Sequence, residues 1–282
     1  MAVKFIIDSG ADILPEECAK LDIIHLPLKV IFGDQEYNDA VDMTHREFYE
    51  RLVECDTIPT TSQVPPGDFA DACQKVVAAG DTAVIVTISG KLSGTYQSAV
   101  IAASDFSGQI YVVDSQSVSL GVRILVQHGL ALRDQGFSAG EIAAVLDSIK
   151  NKIHVMALLD TLEYLKKGGR ISSAVALAGS LLSIKPVVAA EDGAVVMVGK
   201  ARGSRQGNNL LRQLIDKCGG INFDMPFCLA YSGLSDALLQ KYITDSAELW
   251  EGKTDALPIA TIGCTIGTHA GPGAVAIAFF EN

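Results

Sequence analysis

Apolar and polar positions along the chain follow two periods, and the changes between them mark strands and helices. Residues 3–7 read as a first strand, and residues 84–88 are a short run that is β-branched throughout. Strands buried on both faces of a parallel sheet have this composition. The second run ends at Ser89-Gly90 and passes Lys91 and Leu92 to Ser93-Gly94-Thr95. Tyr96, Ala99, Val100 and Ala103 then recur at helical spacing. This segment reads as strand, tight loop and helix, with Ser93 near the helix N-terminus, where free N–H groups and the helix dipole favour an anion. Ser93 could equally serve only as a cap. Residues 110–113 form another strand pattern, and residues 120–135 a long helix that is apolar around most of its circumference. Thr44…Glu47 and Ser138…Glu141 are capping boxes that open further helices.

Asp8-Ser9-Gly10-Ala11-Asp12 follows the first strand, at the end where open parallel sheets hold ligands. Asp12 is placed to cap a short helix starting near Pro15. Asp8 and Asp12 could also form a metal or phosphate site, although no further ligand cluster accompanies them. Residues 23–32 are a second extended run, and Gly33-Asp34-Gln35 is a hairpin turn. Residues 60–67 form a proline-broken loop with three adjacent hydroxyls, Thr60, Thr61 and Ser62, followed by an amphipathic segment over 68–79. Such a loop is ordinarily a solvated connection and gains interest only if it folds over the Ser93 turn.

After residue 150 the pattern changes. Residues 153–159 are strand-like, 161–167 a short helix, and Lys166-Lys167-Gly168-Gly169-Arg170 a basic turn. Residues 174–184 read as an apolar, small-residue helix suited to core packing or to lining a cavity. Glu191-Asp192-Gly193 joins two strands as a hairpin. Lys200, Arg202 and Arg205 form a basic cluster leading into a helix. Residues 227–231, 261–266 and 274–280 read as strands, with His269 in a glycine-rich loop before the last. The fold class is α/β in two domains: an N-terminal doubly wound parallel sheet over residues 1–150 and a smaller C-terminal α/β sheet domain over 151–282.

Composition narrows the function. The chain has 282 residues, and its formal net charge of −11 with no basic run disfavours nucleic-acid binding. No apolar stretch reaches membrane-spanning length, and the first strand begins without a signal-peptide pattern. The six cysteines show no CxxC and no metal-like spacing with the five histidines, as expected of reduced thiols in a cytoplasmic protein without metal. No G-x-G-x-x-G follows the first strand and no Walker motif occurs, so no nucleotide cofactor is expected. Lys91 stands where the G-x-S-x-G elbow needs glycine, yet the order Ser93…His269 keeps a Ser93-dependent esterase or thioesterase open as the alternative. The reading that unites the parts is a carboxylate receptor: hydroxyls from Ser93, Thr61 and Ser62, a proton or charge from His269, and a helix N-terminus.

The segments Asp8-Ser9-Gly10-Ala11-Asp12, Thr61-Ser62-Gln63, Ile88 to Tyr96, and Gly168-Gly169-Arg170-Ile171 fall in the order and spacing of the DegV family, which the chain resembles over essentially its whole length. Ile184-Lys185-Pro186, Lys200-Ala201-Arg202 and Gly267-Thr268-His269-Ala270-Gly271-Pro272-Gly273 continue the match. The resemblance implies a bacterial protein that holds a long-chain fatty acid in a tunnel between two domains. It would present the carboxylate to a separate ATP-dependent fatty acid kinase, toward phospholipid synthesis, and would not itself be an enzyme. It places the carboxylate at Thr61, Ser93 and His269, to which the adjacent Ser62 and Gly94 are added as site residues, and a kinase-facing surface at Arg170, Lys200, Arg202 and Arg205. The chain departs from the family pattern at Val64, where proline is common, and at Gly203-Ser204-Arg205-Gln206-Gly207, which is less basic than in many relatives.

Overall fold

A computed structural model describes residues 2–171 and 184–282. In chain order the elements of the first half are β1 (Val3–Asp8), α1 (Pro15–Lys20), β2 (Ile23–Leu26), β3 (Lys29–Phe32), β4 (Gln35–Asn38), α2 (His45–Glu54), β5 (Thr60–Ser62), α3 (Pro66–Ala78), β6 (Thr82–Thr87), α4 (Thr95–Ala103), β7 (Ile110–Asp114), α5 (Leu120–Asp134) and α6 (Ala139–Ile149). The second half follows as β8 (Ile153–Leu158), α7 (Glu163–Lys167), β9 (Ile184–Glu191), β10 (Ala194–Arg202), α8 (Gly203–Lys217), β11 (Cys228–Tyr231), α9 (Ala237–Asp245), β12 (Ile259–Thr261), α10 (Cys264–Ala270) and β13 (Val275–Phe280).

The parallel sheet runs β2-β1-β6-β7. Its two central strands are buried on both faces because successive side chains point to opposite sides. Ile6, Ala83 and Ile85 meet α3 and α4 through Phe69, Cys73 and Ala99. Phe5, Ile7, Val84 and Val86 meet α5 and α6 through Leu125, Ile142 and Leu146. The sheet is therefore wound on both faces, as its apolar runs require. The strand order reverses between β1 and β6, and there the Asp8 carboxylate accepts from the Ile88 N–H at 2.8 Å. Both predicted capping boxes form, at Thr44–Glu47 and Ser138–Glu141.

The second half builds a six-stranded mixed sheet, β10-β9-β8-β13-β11-β12. It is wider than the four-stranded parallel sheet, although the first half carries a further sheet of three strands. Along β13, Val275, Ile277 and Phe279 face α8 and α9. Ala274, Ala276 and Ala278 face the first half of the chain. Large residues thus fill one side, while on the other the alanines leave space ahead of Phe280.

Four other expectations change. The extended run over 23–32 splits between two sheets, because β3 turns away to join β4 and β5 in a three-stranded antiparallel sheet. Asp12 does not cap α1: the residue before Pro15 is Leu14, and Asp12 takes a left-handed conformation, φ 52°, that points its carboxylate elsewhere. The apolar run over 261–266 is not a strand. β12 stops at Thr261, and His269 rides on helix α10 rather than in a loop. A short apolar run does not distinguish strand from buried helix by periodicity. The helix expected over 174–184 lies outside the described residues except at Ile184, which begins β9. Among the described residues no helix is long and apolar enough to cross a membrane.

Candidate functional site

The turn after β6 is fixed by its own backbone. Leu92 N–H and Ser93 N–H both donate to the Ser89 carbonyl, at 3.0 and 3.1 Å. The Ser93 hydroxyl lies 2.8 Å from Thr95 Oγ1 and accepts weakly from the Thr95 N–H at 3.3 Å. Ser93 is thus oriented by the first turn of α4, where the next residue, Gly94, is the N-cap.

The hydroxyl loop does fold over this turn. Gln63 donates to the Ser98 hydroxyl at 2.8 Å, and its carboxamide lies so close to Gly94 that a Cβ there would collide with it. Gly94 is needed for that close approach. Pairing of β5 with β3 sets Thr61 opposite Val30. From there the Thr61 hydroxyl meets His269 Nε2 at 2.9 Å.

His269 is delivered by α10, whose N-terminus is held by two buried carboxylates. Asp39 accepts from the N–H groups of Cys264 and Thr265, both at 3.1 Å. Asp12 accepts from the Gly263 N–H at 2.9 Å and from the Ser119 hydroxyl. These acids close the orphan donors that begin any helix. Burial pushes the carboxyl groups of Asp8 and Asp12 up to about 7, against the hydrogen bonds that favour their charged forms. Asp8 and Asp12 therefore serve as interior ties. Among the described residues one group has metal-ligating atoms gathered within 4.8 Å, Asp39, His45 and Cys264. Its Asp39 oxygens are already engaged by two N–H groups and by Ser9, and His45 Nδ1 by Thr261, so the group works as packing between elements.

Burial, and then the Arg170 cation, hold the His269 imidazole down at about 4. At neutral pH it is uncharged, and its buried Nδ1 has no hydrogen-bond partner among the described residues. The fixed positive charge comes from Arg170, whose guanidinium donates to the carbonyls of Leu92 and Gly168 at 3.1 and 2.7 Å.

These residues share one cavity of about 290 Å³. Thr61, Ser62, Ser93, Gly94, Arg170 and His269 stand on its wall with Gln63. The rest is mainly apolar: the Ile262, Ile266 and Ala270 face of the α10 segment, Ala276 of β13 with Ala274 just before it, Val155 and Ala157 of β8, and Leu92 and Leu165. A second, outer cavity of about 420 Å³ is lined by residues 56–61, Lys167 and Gly168. Thr61, Arg170 and His269 line both cavities and form the partition between them.

All five residues expected at a carboxylate site come together in the inner cavity. The expected basic surface does not stay in one place. Arg170 is half-buried in the cavity wall, while Lys200, Arg202 and Arg205 are exposed on β10 and the start of α8. Ile171 pairs with Val195, and Arg202 lies seven residues further along β10, about 23 Å of strand. Sequence reasoning missed Gln63 as a clamp, Asp39 as the distant cap of α10, and Arg170 as a wall residue. The motifs Thr61-Ser62-Gln63 and Gly168-Gly169-Arg170 gave a signal for Gln63 and Arg170, and nothing local pointed to Asp39. No nucleophilic relay forms among the described residues: His269 bonds Thr61 rather than Ser93, and no carboxylate reaches its Nδ1.

A family model described as an uncharacterised protein of the DegV family matches residues 2–282. A DegV domain-containing protein of Deinococcus radiodurans is 33% identical over 99% of this chain and 98% of its own. Among solved structures, a DegV family protein from Thermus thermophilus, described for its fatty acid binding, superposes with a TM-score of 0.89 at 31% identity over 100% of both chains. A stearic acid-binding protein from Eubacterium ventriosum superposes at 0.86 and 26% identity, over 100% of this chain and 98% of the other.

Proposed function

The chain belongs to the DegV family, and on that premise we propose that it binds a long-chain fatty acid and offers the carboxylate to a separate ATP-dependent kinase. The acyl phosphate formed there would feed phospholipid synthesis in a bacterial cytoplasm. Residues 1–150 and 151–282 act as two domains that clasp the ligand in a tunnel.

One observation carries the reading: an apolar cavity ends at a polar partition where Thr61, Ser93, His269 and Arg170 converge. The carboxylate takes hydrogen bonds from Thr61, Ser62 and Ser93, approaches the backbone at Gly94, and lies beside the Arg170 cation. Charge-assisted bonds of this kind are the stronger class. The tail lies against the alanine face of β13 and β8, each buried methylene contributing about 0.8 kcal/mol before the costs of association. The sharing of Thr61, Arg170 and His269 between the two cavities supports presentation, because a head group at that partition is approachable from outside. Lys200, Arg202 and Arg205, exposed on an acidic protein, suit steering toward an acidic or nucleotide-loaded partner. The protein contributes no nucleophile; on the kinase a carboxylate oxygen of the ligand attacks the γ-phosphorus of ATP, the bond to the β,γ-bridging oxygen breaks, and ADP leaves.

Mass spectrometry of organic extracts from purified protein tests this, beside a Ser93→Ala/His269→Ala variant. The expected result is a stoichiometric long-chain fatty acid that is depleted in the variant. A protein that comes up empty and stays empty when offered palmitate and oleate overturns the reading. Turnover of a chromogenic ester, lost in Ser93→Ala, would establish the esterase instead.

A further inference from the structure

Thr265 is 4% exposed and lines the inner cavity, yet among the described residues its hydroxyl has no hydrogen-bond partner. The reason lies in the helix. A helical threonine usually turns its hydroxyl back to the carbonyl one turn earlier, as Thr268 does with Cys264 at 2.9 Å. Thr265 is the second residue of α10, so the carbonyl four residues back belongs to Thr261 of β12 and lies outside the helix. Its own N–H is taken by Asp39. A buried hydroxyl left unmet is costly, so a group entering the cavity is its natural partner.

The position of that group follows from the helix. Thr265 lies four residues before His269 on the same face, about 6 Å along the axis. His269 stands at the partition with the outer cavity, whereas Thr265 lines the inner cavity alone. The orphan hydroxyl is therefore one helical turn inward from the carboxylate site. Ser119 lines the same cavity, and its proton is given to Asp12, which leaves its oxygen as an acceptor. A ligand hydroxyl can accept from Thr265 and still has a proton to give to a wall oxygen such as that of Ser119, which a plain methylene or a carbonyl does not.

Resting on the fatty-acid reading above, we infer that Thr265 forms a second polar subsite that selects acyl chains bearing a hydroxyl group near the carboxyl end. The subsite sets ligand preference and takes no part in holding the carboxylate.

The test is calorimetric titration of delipidated wild-type protein and Thr265→Val with palmitate and its β-, δ- and ω-hydroxy derivatives. Valine has the shape of threonine without its hydroxyl. In the wild type, the β- or δ-hydroxy acid binds about fivefold or more tightly than the ω-hydroxy acid, the worth of one good hydrogen bond. In Thr265→Val this ratio falls by a similar factor. A ratio unchanged by the substitution overturns the subsite, as does a wild type that treats all three hydroxy acids alike, and the latter comparison decides even if the variant does not fold. Palmitate binding without positional preference sinks the subsite alone. Failure of all four acids to bind sinks the fatty-acid reading with it.

Discussion

At the scale of single residues, His269 and Arg170 divide the electrostatic work between them. The imidazole is neutral at pH 7 because burial and the neighbouring guanidinium both oppose its protonation. Its folded value, about 4, lies below the ordinary 6.5, so the free protein holds fewer protons here than the unfolded chain. This group's contribution to stability is therefore present above pH 6.5 and is lost as pH falls from there toward 4. A bound carboxylate at the partition reverses the balance, since an opposite charge favours the imidazolium. Histidine NMR titration is expected to show the His269 pKa rising by a unit or more when palmitate is added. A value unmoved by ligand would place the head group elsewhere. Thr61 and Ser93 were identifiable from their motifs, but the protonation of His269 was not, because it depends on what α7 and the following turn bring beside it.

At the scale of elements, α10 decides the site, since its two ends join distant parts of the chain. Asp12 and Asp39 hold its N-terminus, and its last turn carries His269 to Thr61. Gly271 ends the helix with φ 73°, and a Cβ there would strike the Tyr164 ring. The Asp12 carboxyl titrates near 7 in the folded state, against the ordinary 3.8. The folded chain keeps that proton after the unfolded chain has lost it, so the contribution is full below pH 3.8 and is lost as pH rises to 7. Asp12→Asn cannot titrate. The stability of the wild type relative to Asp12→Asn should therefore fall between pH 4 and 7, on the order of 1 kcal/mol per pH unit, and level off above. Urea unfolding of both proteins across that range measures it. A difference independent of pH would mean that Asp12 is ionised throughout.

At the scale of the whole molecule, the cavity exists because two periodicities meet. Along β13, Val275, Ile277 and Phe279 turn toward α8 and α9, while Ala276 and Ala278, with Ala274 just before the strand, turn toward the first half of the chain. Where those alanines face Leu92 and the α10 segment, the interior is left unfilled. Ala276→Leu places a larger side chain in that space. It should leave the melting temperature of the delipidated protein unchanged or raise it by a few degrees, because filling a cavity restores lost contacts. The same substitution should cut the amount of co-purifying fatty acid severalfold or shift it to shorter chains. Differential scanning fluorimetry and lipid extraction report the two effects, and an unaltered lipid profile would mean that the tail does not lie against β13.

Local chemistry alone determined much of this protein. The buried runs of β1 and β6, the capping boxes of α2 and α6, the hairpin at Asp192-Gly193, and the strand–turn–helix around Ser93 were all legible, because each depends on residues close in sequence. The expectation that Thr61, Ser62, Ser93, Gly94 and His269 belong together came from motifs and their order, and the inner cavity gathers them. What the tertiary structure alone decided involves residues far apart in the chain. An apolar run such as 261–266 takes a strand or a helix according to its neighbours, and here Asp39, more than two hundred residues away, caps α10 and settles the matter. The family resemblance likewise grouped Arg170 with Lys200, Arg202 and Arg205 as one surface, but the fold half-buries Arg170 in a cavity wall and leaves the other three exposed. Hydrogen-bond satisfaction and burial are properties of the assembled interior, and no local pattern encodes them.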